Sequence, residues 1–193
     1  MKKILLLTAI VLLSLTTAQA QDIEEKIKGG GFYAGANIGL PVSTASDVSS
    51  FNFGFDVAYL FELIDNLEVG PLLGFSHFVG DGDYRVYNND DFEFIRDYKD
   101  ASFLPIAASA RYYFADHRFF GGIDLGVAIN VAGDAKTGFY ARPKFGFDLG
   151  TIALIASFQS ISGGVDYGDT YYGGTYVSSS GFNSFNFGVE FGF

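Results

Sequence analysis

The chain contains no cysteine and no tryptophan, only four prolines and only two histidines among its 193 residues. Without cysteine there is no disulfide framework, no thiolate metal site and no lipid-modified N-terminus. Two histidines leave little for metal or acid–base chemistry. Basic residues are also scarce: the first twenty residues carry two lysines, and without them ten basic side chains face 22 acidic ones, a formal charge of −12. Such a surface repels nucleic acid, which is excluded as a partner. Long apolar runs are missing beyond the N-terminus, so a membrane could be crossed only by strands.

What is abundant is glycine (25), phenylalanine (22) and tyrosine (12). The N-terminus reads as a signal peptide over residues 1–20: Lys2 and Lys3, an apolar stretch from Ile4 to Leu15, and the small-x-small site Ala18-Gln19-Ala20. Residues 21–30 form a polar leader, expected in the periplasm, with Gly29-Gly30-Gly31 as a hinge. Residues 31–193 are expected to be one barrel domain.

Period-two alternation runs through that domain. Phe51, Phe53, Phe55, Val57, Tyr59 and Phe61 share one face against Asn52, Gly54, Asp56 and Ala58. Ile123, Leu125, Val127, Ile129 and Val131 alternate with Gly122, Asp124, Gly126, Ala128 and Asn130. Five more segments fit, at about 31–40, 67–78, 103–114, 139–149 and 152–161, giving eight strands with the terminal one at 185–193. Long and short connections alternate, with the longest at about 79–102 and 162–181. This is the pattern of an outer-membrane barrel with long loops outside and both termini in the periplasm. Tyr84 to Tyr87 and Phe92 to Ile95 around Asn88-Asn89-Asp90-Asp91, and Tyr171-Tyr172 and Thr175 to Val177 around Gly173-Gly174, read as hairpins extending the flanking strands.

The distribution of charge separates this from a soluble eight-stranded barrel. Asp56, Glu68, Arg111, Asp124, Arg142, Lys144, Asp148 and Glu190 all fall opposite the aromatic rows. Charges facing lipid cost about 2–4 kcal/mol for a basic residue near the midplane, so they belong in the lumen. The expected fold is all-β: an eight-stranded antiparallel up-and-down transmembrane barrel with a polar lumen filled by side chains. The eight charges form a lumenal network of five acids and three bases, leaving two acids without a basic partner. Inward Tyr113, Phe120 and Tyr140 add bulk.

Catalytic motifs are weak. Ser76-His77 with Asp81 contains the ingredients of a hydrolase, but adjacent strand residues face opposite ways. His117 lies at the other end of the barrel in the turn Ala115-Asp116-His117-Arg118. Asp81, Asp83, Asp90, Asp91, Asp97 and Asp100 could offer oxygens to calcium, but the order Asp81-Gly82-Asp83-Tyr84 departs from the EF-hand loop, and a solvated acidic loop is the simpler reading. No enzyme, catalytic residue, metal or cofactor is expected.

The final run, Phe185-x-Phe187-x-Val189-x-Phe191-x-Phe193, ends on an aromatic and resembles the signal by which the outer-membrane assembly machinery recognises its clients. Residues 31–193 resemble the OmpA/OmpX-type superfamily of small outer-membrane barrels, and Ala18-Gln19-Ala20-Gln21 resembles Bacteroidetes signals. The resemblance implies a monomeric integral protein of the cell outer membrane, embedded in lipid, inserted by the assembly machinery, with any extracellular ligand held at its loops. Its expected role is structural or adhesion-type. A narrow porin-like channel is the alternative, and an outer-membrane enzyme the third reading.

Overall fold

A computed structural model describes residues 28–87, 93–167 and 177–193. The strands, in chain order, are β1 (Lys28–Val42), β2 (Ser49–Ile64), β3 (Leu67–Gly80), β4 (Asp83–Tyr87), β5 (Glu93–Asp97) and β6 (Ala101–Phe114). They continue with β7 (Phe119–Ala132), β8 (Gly138–Asp148), β9 (Ile152–Ile161), β10 (Val165–Tyr167), β11 (Val177–Ser179) and β12 (Phe182–Gly192). Eight of them close a barrel in the order β1-β12-β9-β8-β7-β6-β3-β2. Closure pairs every wall strand on both sides and leaves no open edge, the condition for a sheet to exist in hydrocarbon.

Alternation decides which way each side chain points. On β2, Phe55 and Val57 are exposed while Asn52, Ala58 and Leu60 are buried. On β7 and β12 the outward rows are Ile123 to Val131 and Phe185 to Phe193, each taken every second residue. The outward-facing row on β6 runs from Leu104 to Phe114. Eleven residues at roughly 3.3 Å each, tilted as barrel strands are, give a height of about 27 Å, matching the apolar band of membrane barrels. With charges inside and phenylalanine outside, the protein is a membrane-spanning barrel.

Three ladders are interrupted opposite proline. The pairs of β2 with β3 skip from Ala58↔Leu72 to Phe61↔Val69 around Pro71, those of β3 with β6 skip around Pro105, and those of β8 with β9 skip around Pro143. Proline has no N–H to donate, so each site gives up a rung. The connections at one end are tight: Asp65-Asn66, Ala115 to Arg118 and Leu149 to Thr151. Ala115, Asp116 and His117 all hold positive φ (52°, 54° and 63°), an unusual run for non-glycine residues. Gly146 is required by packing, because the Phe120 ring occupies the space a Cβ would take.

At the other end, β4 pairs with β5 and β10 with β11 as separate two-stranded sheets. They lie beyond the outer ends of β3 and β6, and of β9 and β12. Residues 1–27, with the expected signal peptide and most of the expected leader, and residues 88–92 and 168–176, where the hairpin tips are expected, lie outside the described residues, whereas Lys28 to Gly31, expected as the end of the leader and a hinge, are part of β1.

Candidate functional site

The lumen is the first place to look for a pathway or binding site, and it is filled in two layers. Towards the tight turns it is charged. Arg111 on β6 reaches Glu190 on β12 through two hydrogen bonds of 2.7 and 3.0 Å. Its guanidinium lies between the rings of Tyr33 and Phe120, 4.5 and 4.7 Å from their centroids. This is the bidentate, aromatic-stacked geometry for which arginine is suited and lysine is not.

Farther along the axis, Arg142 on β8 donates to Asp124 and to Asp56 on β2, each at 2.8 Å. Lys144 completes the cluster, donating to Asp124 at 2.7 Å and to Ser109 at 3.1 Å. Two neutral pairs follow: Gln159 to Ser76 and Asn52 to Asn186, both at 2.8 Å.

The partners follow a pattern. In the closed order, β6 and β12 stand four strands apart, as do β8 and β2, and β9 and β3. Hence Arg111–Glu190, Arg142–Asp56 and Gln159–Ser76 each cross a diameter of the barrel. A solute would have to pass three crossing links.

Of the eight sequence-derived charges, six meet in this way. Glu68 has no basic partner among the described residues; its carboxylate accepts from the hydroxyls of Tyr33 (3.1 and 3.2 Å) and Tyr113 (3.3 Å). Asp148 stands apart from the network: it sits at the end of β8, and its Oδ1 accepts the Gly150 amide at 2.6 Å, closing the tight turn. The two acids in excess of bases are therefore served by hydroxyls and by backbone. Tyr113, Phe120 and Tyr140 are buried inside.

The second layer is an aromatic plug on the hairpin side. Phe78, Phe103 and Phe182 meet with ring centroids 5.0–6.2 Å apart. Val48, Tyr98 and Val165, from three different connections, pack onto them. Sequence patterning missed this plug. Inward parity at Phe78 and Phe103 was the available signal, whereas the return of loop residues into the mouth is non-local and left none.

Ser76, His77 and Asp81 do not assemble into a site. Ser76 points inward to Gln159, whereas His77 lies on the outer surface between the rings of Phe53 and Phe75. His117 lies tilted against the Tyr113 ring at the opposite end, 5.3 Å between centroids. Among the described residues no three histidine or carboxylate side chains gather as a metal site. The terminal row Phe185, Phe187, Val189, Phe191 and Phe193 is wholly outward, Phe193 being 82% exposed.

The sequence matches no family model and no curated protein. Similar solved structures include the following three. A de novo designed transmembrane β-barrel shares 10% identity, covering 86% of this chain and 98% of that one, with a TM-score of 0.46. Neisserial surface protein A shares 15% identity over 86% of this chain and 100% of that one, TM-score 0.46. The Yersinia pestis outer membrane protein Ail, in a phospholipid bilayer nanodisc, shares 14% over 86% and 100%, TM-score 0.42.

Proposed function

We propose that the protein is an integral barrel of the bacterial outer membrane with a structural, adhesion-type role, presenting its hairpins to an extracellular partner or surface. The observation that carries this reading is the contrast between a filled lumen and two hairpin sheets that continue past the barrel wall. A scaffold whose interior is occupied and whose loops project has its interaction surface in the loops. The tight turns then face the periplasm. Within this reading the chain is a monomeric member of the OmpA/OmpX-type superfamily of Bacteroidetes type, exported by residues 1–20, with its terminal aromatic strand engaged by the assembly machinery.

The experiment removes the hairpins and spares the barrel. A chain lacking residues 83–97, refolded in vesicles, is expected to keep its heat-dependent gel shift and lose adhesion of expressing cells to host or abiotic surfaces. Unchanged adhesion, together with an unaltered envelope in a deletion strain, overturns the reading. The porin-like alternative is decided by planar-bilayer recording, where the crossing links and plug lead us to expect no stable current.

A further inference from the structure

The outer surface of the barrel is apolar for most of its height, and at its hairpin-side rim polar side chains stand opposite one another on neighbouring strands. Ser160 and Asn183 oppose each other between β9 and β12, and His77 and Ser102 between β3 and β6. The second pair is part of a longer chain of contacts. His77 Nδ1 lies 2.8 Å from Ser102 Oγ, and His77 Nε2 lies 3.4 Å from Asp100 Oδ2. The other Asp100 oxygen accepts the Gly80 amide at 2.9 Å, which holds the carboxylate in place. In the tautomer with its proton on Nε2, Nδ1 is free to accept from the serine hydroxyl while the Asp100 carboxylate stands within ion-pair reach of the other nitrogen.

We propose that Ser102, His77 and Asp100 form a serine hydrolase centre on the membrane side of this rim, acting on the acyl ester of a lipid in the adjoining leaflet. A hydroxyl, a base at hydrogen-bond distance and a carboxylate behind the base are recognised as such a centre by geometry and role, not by chain order. The two imidazole nitrogens exchange their usual partners here, which leaves the relay intact. His77 points away from its chain neighbour Ser76, which faces the lumen. The antiparallel ladder pairs it instead with Ser102, on the same face.

The surroundings suit a lipid ester. The rim marks the end of the apolar band, where headgroup and ester linkages of a bilayer lie. The β6–β7 register slips between Ser102 and Phe103, leaving Val131 without a rung partner. Such bulges occur beside active sites and free backbone amides, the donors a developing oxyanion needs. Ser102 is only 6% exposed. The turn that packs on Asp100 through Gly133 is tied down by the exposed Lys99–Asp134 ion pair at 2.9 Å, a weak fastening, and its lifting is the access step.

In the reaction, Ser102 Oγ bonds to the ester carbonyl carbon as its proton passes to His77 Nδ1. Collapse breaks the acyl C–O bond, and His77 returns the proton to the leaving alcohol. A water, deprotonated by His77, then attacks acyl-Ser102. The fatty acid departs and the serine hydroxyl is restored. One ester and one water give one acid and one alcohol.

The test uses the mature chain folded in phosphatidylcholine vesicles with a long-chain alkyl fluorophosphonate as probe. The expected result is covalent labelling mapped to Ser102 by peptide mass, with slow release of fatty acid. Ser102→Ala should abolish both, and His77→Gln and Asp100→Asn should slow labelling by roughly 100-fold or more. Ser160→Ala, at the other rim pair, should leave both unchanged. Folded wild-type protein that is not labelled, or is labelled at another residue, overturns the centre whether or not any variant folds. Labelling of Ser102 without fatty acid release overturns the lipid ester as its substrate.

Discussion

The two halves of the lumen are filled by opposite chemistry. Towards the tight turns, buried charges meet across the barrel, as in Arg142 between Asp56 and Asp124. Towards the hairpins, Phe78, Phe103 and Phe182 pack as an ordinary apolar core. Both halves exclude water, but they fail differently. A buried charge that loses its partner keeps its full desolvation cost, whereas a missing ring leaves a cavity whose cost depends on how far the surroundings relax.

The contrast is broken most severely at Arg142. Arg142→Met strands Asp56 without a cation and is expected to cost about 3–5 kcal/mol in denaturant unfolding from vesicles. Phe103→Ala should cost about 3 kcal/mol in the same titration, at the low end for phenylalanine because it opens toward the mouth. It should leave planar bilayers silent, since the crossing links beneath are untouched. A current in that variant would show that the plug alone closes the lumen. Ser76→Ala leaves the Gln159 amide without its acceptor, and a loss of about 1–2 kcal/mol is expected. The smallest effect sharpens the comparison. Arg111→Met combined with Glu190→Leu should fall within about 1 kcal/mol of wild type, although Arg111→Met alone should cost several times more. If the double variant is as unstable as the single, the charged half contributes stability that an apolar filling cannot replace.

Much of this was legible beforehand, because a strand with two unlike faces writes its orientation into every second residue. The rows on β2, β7 and β12 specify wall, lumen and membrane surface at once. The segments expected at 67–78 and 152–161 match β3 and β9 to within two residues. Parity states which way a side chain points but not whom it meets. Arg111 and Glu190 are 79 positions apart, and only closure of the cylinder brings them together. Asp148 has inward parity, yet at the end of β8 the turn amide lies nearer than any lumenal cation. The rim contact of His77 with Ser102 was hidden for the same reason: the relevant neighbour lay on the next strand.

The diametric links have a consequence for assembly. Like spokes, Arg111–Glu190, Arg142–Asp56 and Gln159–Ser76 set the distance between opposite walls and so hold the cylinder's cross-section against flattening. They also act as a proofreading device. Sliding any one of the six strands that carry a spoke by a single residue would swing that side chain outward, turning a polar group into hydrocarbon while its partner stayed buried alone. Correctly threaded barrels are thus separated from mis-threaded ones by the same few side chains that occupy the bore.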